Sequence, residues 1–148
     1  MRLTPAKRRD ARRLARILAD WIDETPWMPT IHTPDQDRSF LAWLITNTEV
    51  VTLRSWRGPQ GFLAREDTMV HALYLRPAVR GQGHGKRLLD WAKARSPNLT
   101  LWTFQANAGA RAFYAREGFR EVEMTDGAGN DEGVPDVRLV WPAERGGA

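Results

Sequence analysis

The sequence predicts a mixed α/β fold, with about seven strands in a mostly antiparallel sheet flanked by about four helices. A chain of 148 residues suits one domain and is too short for two. Three successive strand-like segments with short turns predict an antiparallel meander in the middle of the chain. Further on, a strand, a helix and another strand follow one another, which predicts one parallel pair. We therefore expect a single domain over residues 1–148, with a disordered tail from about residue 143.

The first third is predicted to contain a strand, a basic helix, a loop and a second helix. In order, these segments are Arg2–Thr4, a helix to about Asp23, Thr25–His32, and a helix that begins after Thr33 with Pro34 at its first position. Thr4 and Pro5 suit the N-cap and first turn of the basic helix, because proline lacks the N–H that a first-turn residue leaves unpaired. Pro26 and Pro29 exclude regular structure from the loop. The buried face of the second helix is expected to contain Phe40, Leu41, Leu44 and Ile45.

The remaining two thirds are predicted to combine strands with two helices. The meander strands are Glu49–Trp56, Gln60–Glu66 and Met69–Leu75, with turns at Gly58-Pro59 and Asp67-Thr68. The later elements are a helix to about Arg95, a strand at Leu99–Phe104, a helix from Asn107 to Gly118, and strands at Phe119–Met124 and Val137–Trp141. Asn107 is a favourable N-cap, and Gly118 suits the left-handed position after a helix end. Residues 125–136, rich in Gly and Asp, are expected to form a long exposed loop.

The net charge of +4 and the pI of about 10.1 come from one end of the chain. Residues 1–20 contain seven Lys or Arg and two Asp, a net charge of +5, so the other 128 residues carry −1. A basic excess confined to one amphipathic helix is typical of a solvated face, and it does not favour nucleic acid as a partner. Contact of this face with a protein or RNA stays open.

Several classes of protein are not favoured by the composition. No apolar stretch is long enough to cross a bilayer, and no signal-peptide pattern is present, so we expect a cytoplasmic protein without a membrane partner. The chain has no cysteine, which excludes disulfides, thiolate metal ligands and covalent thiol catalysis.

The most informative segment is a glycine-rich run between a strand and a helix, from Val79 to Leu89. Gly81, Gly83 and Gly85 stand at alternate positions, where they allow successive amides to turn toward one phosphate, and the helix that follows adds the positive end of its dipole. Two familiar phosphate loops are excluded by spacing. A Walker loop needs Gly at position 80 and Ser or Thr at 87, which are both arginine, and a dinucleotide fingerprint needs Gly at position 86, which is lysine.

Two motifs together resemble the GNAT superfamily, the acyl-coenzyme A dependent N-acyltransferases. Arg80, Gly83 and Gly85 match the superfamily's Arg/Gln-X-X-Gly-X-Gly/Ala pyrophosphate loop. One helix and one strand later, Asn107 is followed by the pair Phe113-Tyr114 and then by Gly118-Phe119, in the order that the superfamily shows. The close match runs from about Gly61 to Phe119.

The resemblance implies a fold and a set of cofactor contacts. The fourth and fifth strands, which form the parallel pair, should splay apart and hold the pantetheine arm of acetyl-CoA, while the glycine-rich run binds its diphosphate. The expected cofactor-binding residues are Leu73, Tyr74, Leu75, Arg80, Gly81, Gln82, Gly83, His84, Gly85, Lys86 and Asn107. Arg87 is a further candidate for phosphate contact. Asn107 is expected both to cap its helix and to contact the cofactor, and these two roles compete. No metal is expected.

Acetyl transfer to an amine needs a proton acceptor and a proton donor. An alkylamine has a pKa of about 10.4 and must lose a proton before it attacks, whereas the departing thiolate, whose acid has a pKa of about 8.5, gains from a donor. By resemblance the donor is Tyr114, with Phe113 facing the core. His71 is the candidate base, since histidine titrates near neutral pH and related arylalkylamine acetyltransferases have a histidine there. Glu66 and Asp67 are alternative bases, and purely structural roles for Tyr114 and His71 stay open.

The acceptor is not fixed by the sequence. We expect first a small-molecule primary amine, then a protein N-terminus or lysine, and as a third alternative a non-catalytic module that binds acetyl-CoA and docks through its Arg-rich helix. The Trp27–His32 loop and the loop before the last strand should cover the acceptor, with Trp27 and Trp102 as candidates for an aromatic pocket. The acidic stretch 121–136 has no Lys or Arg and could attract an ammonium group, although a solvated loop is the simpler interpretation. A homodimer also stays open.

Overall fold

A computed structural model describes residues 1–144, and the tail expected to be disordered falls mostly on residues 145–148, outside the described part of the chain. The strands are β1 (Arg2–Pro5), β2 (Glu49–Ser55), β3 (Gly58–Glu66), β4 (Met69–Leu75), β5 (Leu99–Phe104), β6 (Arg120–Thr125) and β7 (Asp136–Trp141). The helices are α1 (Ala11–Asp23), α2 (Pro34–Asn47), α3 (His84–Lys93) and α4 (Ala108–Arg116), with short 3-10 turns at Arg8–Asp10 and Pro77–Val79.

All seven strands form one sheet in the order β1-β2-β3-β4-β5-β7-β6. Neighbouring strands are antiparallel except β4 and β5, which are parallel. The predicted fold class is therefore confirmed, including the meander and the single parallel pair.

Helices cover both faces of the sheet, because strand residues alternate between the two faces. Phe62 and Leu63 of β3 are adjacent and both are fully buried, but they belong to different cores. Phe62 packs with residues of α1 and α2, such as Leu14 and Leu41. Leu63 packs in the other core, which holds buried residues of α3 and α4. The parallel pair thus lies between a helical layer with α1 and α2 and another with α3 and α4.

The basic helix starts later than expected. Thr4 and Pro5 belong to β1, where Pro5 lies opposite Val51, so their prediction as N-cap and first turn of a helix was wrong. An edge strand tolerates proline because one side of its backbone needs no ladder hydrogen bond. The helical segment instead begins with the 3-10 turn at Arg8–Asp10, where the Asp10 carboxylate accepts a hydrogen bond from the Lys7 N–H at 2.9 Å.

Two smaller expectations were also wrong. The β2–β3 turn is formed by Trp56 and Arg57, and Gly58 already opens β3 with φ of +105°, a conformation that glycine adopts without strain. Phe40 of α2 is 46% exposed instead of buried. By contrast, α2 begins as predicted, because the Thr33 hydroxyl accepts a hydrogen bond from the Gln36 N–H.

The Arg-rich face of α1 is solvated. The opposite stripe of the helix is buried and consists of Ala11, Leu14, Ala15 and Ile17. Arg12, Arg13 and Arg16 are exposed, and Arg16 pairs within the helix with Asp20 at 3.1 Å. Within residues 1–144, no helix has both the length and the apolar composition that crossing a bilayer requires.

Candidate active site

A cleft opens where the parallel strands separate. Within the described chain, β4 and β5 pair at Met69↔Thr100 and Val70↔Leu101. β4 then continues along β3, and β5 continues along β7. The separation begins at a β-bulge: Ala64 pairs with Ala72 but Arg65 pairs with Val70, so His71 has no partner on β3. Because a bulge bends its strand, it accounts for the point at which β4 leaves β5.

A cavity of about 760 Å³ occupies this cleft. It is lined by most of the residues that the sequence predicted for the site, and these residues come from three separate segments of the chain. The predicted site residues that line it are His71, Leu73, Tyr74, Leu75, Arg80, Gly81, Gly83, Gly85, Lys86, Asn107 and Tyr114. Gln82 and His84 do not line it. The Gln82 side chain donates to the Ala78 carbonyl, and the ring of His84 contacts Arg87 at 3.3 Å.

The glycine-rich loop has the features of an anion cradle. Gly81 and Gly83 have φ of +71° and +83°, and a Cβ added to either would meet nothing within 4 Å, so their backbone is open to a ligand. Gly83 also occupies the N-cap position of α3, which turns the helix N-terminus toward the loop. Gly85 serves packing instead, since a Cβ there would lie 3.3 Å from the Phe113 ring. These residues fit a phosphorylated ligand held by backbone amides.

The cations beside the loop are already engaged by the protein. Arg80 donates through Nε to the Leu75 carbonyl at 3.0 Å and pairs with Glu24 at 2.5 Å. Lys86 contacts Glu117 and Asp90, each at 3.3 Å, and its hydrogen bond to Glu117 is the main reason that the pKa of Lys86 is raised. Partial burial, followed by the charge of Arg87, lowers the pKa of His84. To contact a phosphate, Arg80 or Lys86 would therefore have to bind it in addition to, or in place of, its present partners.

Tyr114 lies at the cleft with only 8% of its surface exposed. Burial raises its pKa above the ordinary value, and the nearby Tyr74 adds to the shift, so the phenol keeps its proton. The expected division between Phe113 and Tyr114 was not found: Tyr114 is the more deeply buried of the two, and both line the cavity. A protonated, buried phenol at the cleft can act as a hydrogen-bond donor.

His71 lies on the same cleft and contacts an acid. Its Nε2 is 3.0 Å from Oε1 of Glu66, and its side chain is 31% exposed. Of the two alternative bases, Glu66 is thus the direct partner of His71. Asp67 forms the β3–β4 turn, with φ of +53° and its carbonyl accepting from the Ser96 hydroxyl at 2.8 Å, and it does not line the cavity.

Asn107 caps α4, as predicted. Its Oδ1 accepts a hydrogen bond from the Ala110 N–H at 3.0 Å. The same residue lines the cavity, while its side-chain oxygen is held by the helix. A contact between Asn107 and acetyl-CoA stays a prediction.

Aromatic residues that the sequence did not assign to the site also lie in the cleft. Trp21 of α1 and Phe104 of β5 are the unassigned residues, and they line the cavity together with Tyr74 and Trp102, which the sequence had singled out. A neighbouring hollow of about 320 Å³ shares Trp21, Arg80 and Asn107 with the cavity and also contacts Trp27. Burial, with a smaller contribution from the charge of Glu132, raises the pKa of Tyr74 to about 12. Helical periodicity places Trp21 on the inner face of α1 but does not reveal that this face ends at a cleft.

No cluster of three or more His, Cys, Asp or Glu side chains placed to bind a metal ion is found among residues 1–144. The cleft, the glycine-rich cradle and the buried phenol are the features expected of a protein that binds a phosphorylated carrier.

The chain belongs to the GNAT family of acetyltransferases, since the model described as Acetyltransferase (GNAT) domain matches residues 38–121. The peptidyl-lysine N-acetyltransferase YiaC of Escherichia coli K12 is 28% identical over 143 residues, covering 90% of this chain and 95% of YiaC. The peptidyl-lysine N-acetyltransferase YjaB of Salmonella typhimurium LT2 is 32% identical over 84 residues, covering 57% of this chain and 58% of YjaB, so the aligned part spans less than two thirds of that relative.

A solved structure supports the fold assignment. YncA from Salmonella typhimurium, determined with its cofactor acetyl-CoA, superposes with a TM-score of 0.72 at 18% identity, covering 98% of this chain and 95% of YncA. Acetyl-CoA is accordingly the cosubstrate that membership of this acetyltransferase family assigns to the chain.

Proposed function

We propose that this protein transfers an acetyl group from acetyl-CoA to the ε-amino group of a lysine in a polypeptide. The observation that carries the proposal is the similarity to the peptidyl-lysine N-acetyltransferase YiaC over 90% of the chain. The sequence alone ranked a small-molecule amine first and a protein N-terminus or lysine second. Because of the similarity to YiaC, our proposal ranks the lysine acceptor first. Acetyl-CoA supplies an acetyl group activated as a thioester, and either acceptor would need the same chemistry from the protein.

The cleft supports a division of binding roles among its residues. The edge of β4 at Leu73–Leu75 has lost its β5 neighbour, so its backbone groups on that side are available to the pantetheine arm, except the Leu75 carbonyl, which already accepts a hydrogen bond from Nε of Arg80. The amides from Gly81 to Lys86 lie at the N-terminus of α3 and are available to the diphosphate. Asn107 also lines the cavity and is a further candidate contact for the cosubstrate.

Proton transfer is assigned to His71 and Tyr114. When the Glu66 carboxylate accepts a hydrogen bond from Nε2–H of His71, Nδ1 becomes the unprotonated nitrogen of the ring. His71 can then take the proton that the amine loses as its nitrogen bonds to the acetyl carbon. Tyr114 gives a proton to the sulfur as the carbon–sulfur bond breaks. The product lysine is an amide and the cosubstrate leaves as a free thiol.

The test is release of coenzyme A thiol across a matched set of acceptors. One peptide contains a single lysine and a blocked N-terminus, a second replaces the lysine with arginine, a third has a free N-terminus without lysine, and a fourth acceptor is a small alkylamine. We expect thiol release with the first peptide and a mass increase of one acetyl group on its lysine. Release only with the third or fourth acceptor would overturn the lysine assignment, and acetyl-CoA binding without release for any acceptor would favour the non-catalytic module.

A further inference from the structure

The cavity reaches both faces of the sheet, and its two ends differ in chemistry. Trp21 of α1 and Tyr114 of α4 both line it, although α1 packs on one face and α4 on the other. The end near α3 and α4 carries the glycine cradle, which suits a phosphorylated carrier. The end near α1 has a wall of aromatic side chains, so it is available to the other reactant.

The aromatic wall is a continuous set of ring contacts. Trp21 lies 5.3 Å from Tyr74 and 6.0 Å from Trp27, measured between ring centroids. Trp27 in turn lies 5.7 Å from Phe104. These side chains come from α1, the loop after it, β4 and β5, so they surround the opening between the separated strands. Phe104 alternates with the buried Leu99 and Leu101 of the opposite core, which directs it to the α1 side.

We propose that Trp21, Tyr74 and Phe104 form a subsite for the aliphatic stem and ammonium head of a long primary alkylamine, an inference that rests on the proposed acetyl transfer. A lysine side chain is such an alkylamine attached to a polypeptide. Four methylene groups give lysine an apolar stem that packs on aromatic rings. Ring faces also attract an ammonium ion. Glu132 of the β6–β7 loop adds a smaller contribution to the raised pKa of Tyr74, so its negative charge acts at this aromatic ring. Arg80, the cation at the boundary, is neutralised by Glu24.

A homologous series of linear primary amines, from propylamine to hexylamine, tests the apolar part of this proposal. Each methylene that enters an apolar subsite is expected to raise kcat/KM by about fourfold. Wild-type protein should show this increase, and a lysine peptide should exceed its ornithine counterpart by a similar factor. Equal rates along the series would overturn the proposal.

Variants at Phe104 test the aromatic part. Phe104→Ala should at least halve the gain per methylene, whereas KM for acetyl-CoA should change by less than about twofold. Phe104→Leu keeps an apolar side chain of similar size and should fold if Phe104→Ala does not; it should raise KM for hexylamine by about threefold to tenfold through loss of the cation–π contact. Trp56→Leu is the control, because Trp56 is 89% exposed in the β2–β3 turn, away from the cavity.

The outcomes separate this inference from the proposed function. An equal rise of the KM values for acetyl-CoA and amine in the Phe104 variants would assign the aromatic end to the carrier and overturn the subsite. If wild-type protein acetylates no amine, the proposed function fails, and the subsite is then tested by binding alone. In that case hexylammonium should change the tryptophan fluorescence of the wild-type protein at lower concentration than hexanol does, and the change should be weakened in Phe104→Ala. Fluorescence insensitive to hexylammonium would overturn the subsite.

Discussion

Burial determines the protonation state of Tyr114 and therefore what this residue can do at the cleft. A phenol that loses contact with water is harder to ionise, and the raised pKa keeps Tyr114 protonated across the pH range in which acetyl transfer would be assayed. A protonated phenol can give a proton to a leaving thiolate but cannot take one from an amine. The acid and base roles must then belong to different residues, which agrees with the assignment of the base to His71.

Replacing Tyr114 by phenylalanine removes the hydroxyl and keeps the ring that packs in the core. We expect kcat to fall by about 100-fold, the lower end of typical general-acid contributions, with little change in KM for acetyl-CoA. Initial rates with a lysine peptide at saturating acetyl-CoA provide the measurement, and an unchanged melting temperature verifies that the core is intact. If kcat is unaffected, Tyr114 has only its packing role.

The pair His71–Glu66 predicts a pH dependence of kcat/KM. Loss of the base should remove the acid limb from the profile of His71→Ala and lower the rate by about 100-fold. Glu66→Gln keeps the ring of His71 but removes the carboxylate that orients it, so its rate should fall by a smaller factor and its acid limb should remain. Profiles of the two variants and the wild type are compared with one lysine peptide. A wild-type acid limb in His71→Ala would exclude His71 as the base.

At the level of elements, local patterns predicted much more than contacts between distant segments. The strand and helix that frame the glycine loop were predicted because their apolar spacing and the glycines are local features. The bulge at His71 was not, since it arises from the pairing of β3 with β4. The ion pair between Glu24 and Arg80 joins segments far apart in sequence. The start of α1 was mispredicted because Pro5 suits an edge strand as well as a helix start.

The phosphate loop is tested by a substitution at Gly83. Gly83→Gln places a bulky side chain in the space above the loop and at a φ of +83°, so acetyl-CoA affinity should fall by at least about tenfold, equivalent to about 1.4 kcal/mol. Gly133→Gln is the matched control: Gly133 also has a positive φ, +67°, with nothing near its added Cβ, but it lies in the β6–β7 loop. Calorimetric titration with acetyl-CoA gives both affinities. Equal affinities for the two variants would contradict phosphate binding by this loop.

For the whole molecule, charge is distributed unevenly along the chain. Ion pairs and hydrogen bonds within the protein reduce the number of free negative charges in the acidic stretch that can act on a substrate. The acidic stretch after α4 contains six acids, but Glu121 pairs with Arg111 and Glu123 pairs with Arg138. The Asp136 carboxylate is hydrogen-bonded to Asn130 and Thr125. The charges left at the loop are Asp126, Asp131 and Glu132. Sequence counting could not reveal this reduction, since the arginines that pair with Glu121 and Glu123 lie outside the acidic stretch, on α4 and on β7.

The remaining loop charges predict a salt effect on the acceptor. Raising salt from about 0.1 M to about 1 M shortens the Debye length from about 10 Å to about 3 Å, so KM for a cationic lysine peptide should rise if Glu132 and its neighbours attract it. Acetyl-CoA is kept saturating, so that its own binding does not contribute. Glu132→Gln should raise KM at low salt and reduce the salt dependence, whereas Asp35→Asn, at the exposed start of α2, should behave as wild type. A salt-independent KM in the wild-type protein would show that the loop is merely solvated and that aromatic contacts alone select the amine.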